Sequence, residues 1–259
     1  MRTLILVLTA LAASSGINFP ATTSVIAADG ATLSASWGVP NKASRGVVLV
    51  HQSGRNKEDF AGLAAALVRD GNAVITLDLR GHGGNVPTGK QAPELTQTDY
   101  AAMVGDVRSA AQALVAKGAK TLSFVGAELG ANLVLNAAVD DSSVVSVVLL
   151  SPGLDYKGII TSDATYRYGR RSLLFVASDD DVYGAKSAGI LAGRAQGPHE
   201  FRLLEGAGKG VRMFNREPAL EGYVVGWIGS HWVVPAVELV APPTNIEVKS
   251  TAITASPPQ

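Results

Sequence analysis

The sequence predicts an α/β domain built on a mostly parallel central sheet with helices on both faces. Three observations carry that prediction. Short apolar runs, too short for helices, recur along the chain; segments with helical spacing separate them; and neither an internal repeat nor a linker interrupts residues 24–236. Strands that alternate with helices pack as a parallel sheet covered on both sides, so their sequences read as continuous rather than alternating hydrophobic runs.

The elements follow in order. Residues 24–28 and 33–37 are β-prone and flank Asp29-Gly30, a turn pair that predicts an N-terminal hairpin. Residues 46–50 (GVVLV) form the first doubly buried strand, and similar runs lie at 73–77, 121–125, 144–150, 172–177 and 200–204. Between them, Phe60, Leu63, Ala64, Leu67 and Val68 recur at three and four residues, as do Tyr100, Met103, Val104, Val107, Ala111 and Leu114. Residues 129–139 and 184–195 give two further helices, and a terminal helical pattern carries Trp227 and His231.

Composition narrows the function. Lys+Arg 22 against Asp+Glu 22 leaves a net charge of zero, without the basic footprint of a nucleic-acid binder. With no cysteine there is no disulfide, thiol nucleophile or cysteine-held metal, and four scattered histidines do not make a histidine-rich metal site, so neither metal nor cofactor is expected. Met1-Arg2 followed by the apolar run 3–13, with small residues at Ala10, Ala12 and Ser14, reads as a secretory signal over residues 1–16. The expected location is secreted or periplasmic. The run is too short for a membrane span, and no membrane insertion of the mature protein is expected. Residues 237–259, with Pro242, Pro243, Pro257 and Pro258, read as a flexible tail.

In parallel sheets ligands lie beyond the carboxyl ends of the strands. The residues there are His51-Gln52-Ser53-Gly54, then Asp78-Leu79-Arg80-Gly81-His82-Gly83, then Gly126-Ala127-Glu128-Leu129-Gly130. In combination they resemble the α/β-hydrolase family over residues 24–232. The small, capless, dienelactone-hydrolase-like esterases are nearest, because only residues 151–171 separate two successive strands.

That resemblance implies a nucleophile elbow at 126–130, an acid after the strand at 172–177 and a histidine after the last strand. The elbow keeps Gly126 and Gly130 but carries Glu128 where the family has serine. The acid position matches Asp181, with Asp180 as the alternative, and the histidine position holds Lys209. The family pattern also makes the backbone N–H groups of Gln52 and Leu129 oxyanion-hole candidates. His51 could border that hole or merely support its loop; His82 and its neighbours fit a tight structural loop better than catalysis. His199 and His231 read as surface or packing residues. The run Asp179-Asp180-Asp181 suits a triad acid better than a cation site, and Gly206, Gly208 and Gly210 serve the loop of Lys209 rather than a phosphate.

Glu128 and Lys209 should face each other as carboxylate and ammonium, with Asp181 orienting the pair. Each charge favours the ionised form of the other, and a protonated lysine has no lone pair with which to act as a base. The leading expectation is a pseudoenzyme in which ordinary serine esterase activity is lost and a binding or regulatory role remains, directed at a small apolar or acyl ligand or at a protein partner. The alternative is an atypical hydrolase with Glu128 as nucleophile or acid/base, since members of this fold with an elbow aspartate form alkyl-enzyme esters. Such an enzyme would need Lys209 as electrophile or unusual base.

Overall fold

A computed structural model describes residues 20–88 and 91–233. The signal-like segment at 1–16 and the tail at 237–259 lie outside the described residues. The described residues begin with β1 (Ala21–Ile26) and β2 (Thr32–Gly38), then run through β3 (Arg45–Val50), α1 (Ala61–Arg69), β4 (Ala73–Leu77), α2 (Gln97–Ala116), β5 (Thr121–Ala127), α3 (Leu129–Ala138) and β6 (Val144–Leu150). A short insertion follows, with β7 (Asp155–Tyr156), β8 (Ile159–Ile160) and α4 (Ser162–Arg167). The chain continues through β9 (Ser172–Ser178), α5 (Val182–Ala192), β10 (His199–Leu204), α6 (Arg212–Arg216) and α7 (Ala219–Ser230).

The central sheet has eight strands in the order β1-β2-β4-β3-β5-β6-β9-β10. β1 and β2 form the expected antiparallel hairpin, β2 meets β4 antiparallel, and every pairing from β4 to β10 is parallel. Alternation along the buried strands sorts side chains into two cores. Val48, Val50, Ile75, Phe124, Val147, Leu149 and Phe175 pack under α2, α3 and α5. Val47, Leu49, Val74, Val125, Val148, Leu150 and Val176 pack under α1, α6 and α7. Such strands must be apolar at every position because both faces are covered.

α2 begins at a capping box: the Asp99 N–H donates to the Thr96 hydroxyl, and the Asp99 carboxylate accepts from the Thr96 N–H. The insertion between β6 and β9 is a two-residue-strand hairpin and one short helix, so no large cap covers the sheet. Among the described residues no helix is long and apolar enough to cross a membrane, and no group of three or more His, Cys, Asp or Glu side chains could hold a metal ion.

Candidate active site

The turn from β5 into α3 is fixed by its two glycines. A Cβ on Gly126 would come within 2.3 Å of the Gly130 carbonyl oxygen, and one on Gly130 within 2.3 Å of the Val50 carbonyl oxygen. Only glycine lets strand and helix approach so closely. Between them Glu128 is held at φ 50°, ψ −113°, a strained conformation for a residue with a side chain. Its N–H donates to the Leu150 carbonyl at 2.8 Å and its own carbonyl accepts from the Asn132 N–H. This is the geometry of a nucleophile elbow, carrying a carboxylate.

Lys209 arrives from the loop after β10, and its ammonium forms an ion pair with Glu128 Oε1. The Glu128 side chain is 14% exposed and the Lys209 side chain 36%. Backbone hydrogen bonds to the acidic run set the loop in place. Gly206 N–H donates to Asp179 Oδ1 at 2.8 Å, Ala207 N–H to Ser178 Oγ at 2.7 Å and Gly208 N–H to Asp180 Oδ1 at 2.9 Å. Gly210 N–H donates to Ser151 Oγ at 2.9 Å and Val211 N–H to Gln52 Oε1 at 3.0 Å. Asp180 is thus an anchor of the Lys209 loop, with Arg216 3.5 Å from its second oxygen.

Asp181 departs from the expected role. Its Oδ1 accepts from the Gly184 N–H and caps α5, while Oδ2 is buried with no hydrogen-bond partner. Among the described residues Lys209 forms an ion pair with Glu128 and none with Asp181. The third group at the site is Tyr156. The Lys209 ammonium lies 5.0 Å from the centroid of its ring, and the ring meets Tyr183 edge-on at 5.5 Å. The Tyr156 hydroxyl is buried without a hydrogen-bond partner. Burial, together with the charges of Glu128 and Asp181, pushes its pKa well above the usual phenol value.

Sequence spacing gave no sign of Tyr156, which sits on a two-residue strand. Its anchor did leave a trace. Asn132 is a polar residue inside the apolar α3, and its side chain donates to the Ile159 carbonyl and accepts from the Gly153 N–H, tying the insertion to the elbow helix.

Gln52 follows β3 and Leu129 opens α3. Neither backbone N–H donates to another described residue, whereas the Gln52 side chain is committed to Val211. His51 is fully buried and uses both ring nitrogens on the backbone: Nδ1–H donates to the Gln52 carbonyl at 2.8 Å and Nε2 accepts from the Leu79 N–H at 2.9 Å. Burial lowers its pKa to about 4, so it is neutral near pH 7. His82 packs 5.4 Å from His51, with Nδ1 against the Arg80 carbonyl and a buried, unpartnered Nε2. Nearby, Asp78 accepts from Lys57 and from the Gly84 N–H. Arg80 clamps Asp106 of α2 and Asp29 of the hairpin turn, holding the Asp29 pKa down to about 2. These residues brace the ends of β3 and β4. Two cavities of about 610 and 550 Å³ lie elsewhere, one between the hairpin and Arg80, the other between α2 and the β8–α4 segment.

A mostly parallel sheet with a strained elbow at the end of its central strand β5, beside two backbone N–H groups unengaged among the described residues, defines an α/β-hydrolase. Residues 41–185 match the family described as serine aminopeptidase, S33, and the chain belongs to that family. Among solved structures it is similar to an esterase from Pyrococcus furiosus (TM-score 0.67, 14% identity, covering 84% of this chain and 94% of that one). It is also similar to a dienelactone hydrolase from Anabaena variabilis (TM-score 0.66, 17% identity, 83% and 98%) and to the esterase domain of a Rhodothermus marinus protein (TM-score 0.66, 18% identity, 82% and 99%). The sequence finds no match among curated proteins.

Proposed function

We propose that this α/β-hydrolase-fold protein is an exported pseudoenzyme with a binding or regulatory role. The observation that carries the proposal is the Glu128–Lys209 ion pair, formed at the elbow and at the loop where the family fold keeps serine and histidine. Serine hydrolysis needs a hydroxyl nucleophile and a base with a free lone pair; a carboxylate bound to an ammonium supplies neither. His51 cannot substitute as base, since both ring nitrogens are bound to the backbone and burial depresses its basicity. The N–H groups of Gln52 and Leu129 remain as donors for a carbonyl or carboxylate oxygen, which suits a small acyl ligand. Export rests on Met1-Arg2 and the apolar run 3–13.

The paired substitution Glu128→Ser with Lys209→His tests the proposal. It places serine and histidine on an elbow and loop whose backbone geometry is kept, with the unpartnered Asp181 Oδ2 as the nearby acid. Short-chain ester turnover should emerge in the double variant and be absent from either single variant. Full turnover by wild type, unchanged by substituting Glu128, would defeat the reading.

A further inference from the structure

β10 closes one side of the sheet, and among the described residues nothing pairs with its outer edge. The carbonyl of Pro198 accepts from Leu173 and that of Leu204 from Asp179, so the even-numbered residues of this segment turn their backbone groups inward to β9. His199, Phe201 and Leu203 therefore turn theirs outward. Natural edges are blunted by proline, lysine, bulges or a covering element. Pro198 directly precedes β10 and Glu200 and Arg202 lie on one of its faces, but within HEFRLL there is no proline, lysine or bulge, and it pairs with β9 in uninterrupted register.

The side chains of His199, Phe201 and Leu203 share the α5 face of the strand, and two of these three are large apolar groups left exposed. Phe201 is 38% exposed and Leu203 56%; the Phe201 ring lies beside Gly189 of α5, next to Ile190, which is 39% exposed. On the opposite face Glu200 and Arg202 form a 3.8 Å ion pair within the strand, both about two-fifths exposed and so still open to a facing charge, with the Arg202 guanidinium 3.9 Å from the Tyr223 ring centroid.

We infer that β10 pairs antiparallel with β10 of a second copy of this chain, joining the two sheets into one, with Phe201 opposite Phe201 about the two-fold axis. The backbone permits hydrogen-bonded pairing only between odd-numbered residues, which leaves three central registers. Centring on Glu200 sets Glu200 against Glu200, and centring on Arg202 sets Arg202 against Arg202. Centring on Phe201 sets each Glu200 against the other copy's Arg202. Like charges directly opposite are destabilising and opposite charges stabilising, so the charge pattern selects the Phe201-centred register. The same register stacks the exposed phenyl rings and sets Leu203 opposite His199 on the α5 face.

Sedimentation velocity on the full chain, with charge-swapped variants, tests this. Wild type should be dimeric at tens of micromolar. Arg202→Glu or Glu200→Arg alone should raise the dissociation constant about ten- to a hundredfold, and Glu200→Arg with Arg202→Glu together should bring it back to within about threefold of wild type. Leu203→Glu, at a side chain already exposed in the monomer, should weaken the dimer without lowering thermal stability at dilutions where wild type is itself monomeric. The Phe201 and Leu203 amides should exchange hydrogen more slowly as concentration rises. A monomer at high concentration overturns the inference, as does a dimer insensitive to the charge swap. Protection of those amides at all concentrations in a monomer would show that another segment of the chain covers the edge, and overturns it equally.

Discussion

At the residue scale the account turns on Glu128 and Lys209. Removing one member leaves a partly buried charge, whereas removing both does not. Glu128→Gln and Lys209→Met should each destabilise by about 1 kcal/mol, and the double variant by less than the sum, a coupling of about 0.5–1 kcal/mol in urea unfolding. Additive single effects would separate the two groups energetically. His51 yields a prediction in pH. Above its ordinary pKa of 6.5 the imidazole is neutral in both folded and unfolded chains; below it the unfolded chain takes up a proton that the buried site refuses until about pH 4. Stability should therefore fall with pH through that window, by roughly 2 kcal/mol between pH 7 and pH 5. A His51→Gln variant should lose that part of the slope. That Glu128 sits on the elbow and Lys209 on the loop after β10 was legible in the sequence because Gly126, Gly130 and the glycine-rich loop mark those turns whatever residue they carry. The contacts of Asp181 were not. A helix cap and a triad acid call for the same residue type at the same place, so the sequence alone does not show that Asp181 caps α5.

At the element scale, the elbow is held by close packing rather than by its central residue. Gly126→Ala and Gly130→Ala each drive a Cβ into backbone, and each should cost about 3 kcal/mol or more, read as a fall in thermal midpoint or loss of folded protein. The far end of α3 depends on Arg171. Its guanidinium donates to the carbonyls of Ala138, Val139, Asp141 and Val144 and lies 3.9 Å over the Tyr168 ring, satisfying acceptors that a helix end leaves open. Arg171→Ala should cost about 2–4 kcal/mol in urea unfolding, and Arg171→Lys should recover only part, since one ammonium cannot replace a planar fork. The long strands and helices were legible because their periodicity extends over many residues. β7, β8 and α4 were not: strands of two residues carry no period, and α4 is barely more than a turn. With them Tyr156 was hidden, although it completes the site.

At the scale of the whole molecule, the two cores on either side of the sheet follow directly from alternation within doubly buried strands, and this is why the fold could be read from one sequence. The elbow holds Glu128 in a strained backbone conformation, and its carboxylate forms an ion pair with Lys209. A fold does not determine chemistry; the site does. The most direct test is turnover of short-chain esters, lactones, epoxides and haloalkanes by purified protein, measured beside Glu128→Gln. The account predicts no turnover above background from either protein. Turnover by wild type that disappears in Glu128→Gln would make Glu128 a working catalytic carboxylate and contradict it.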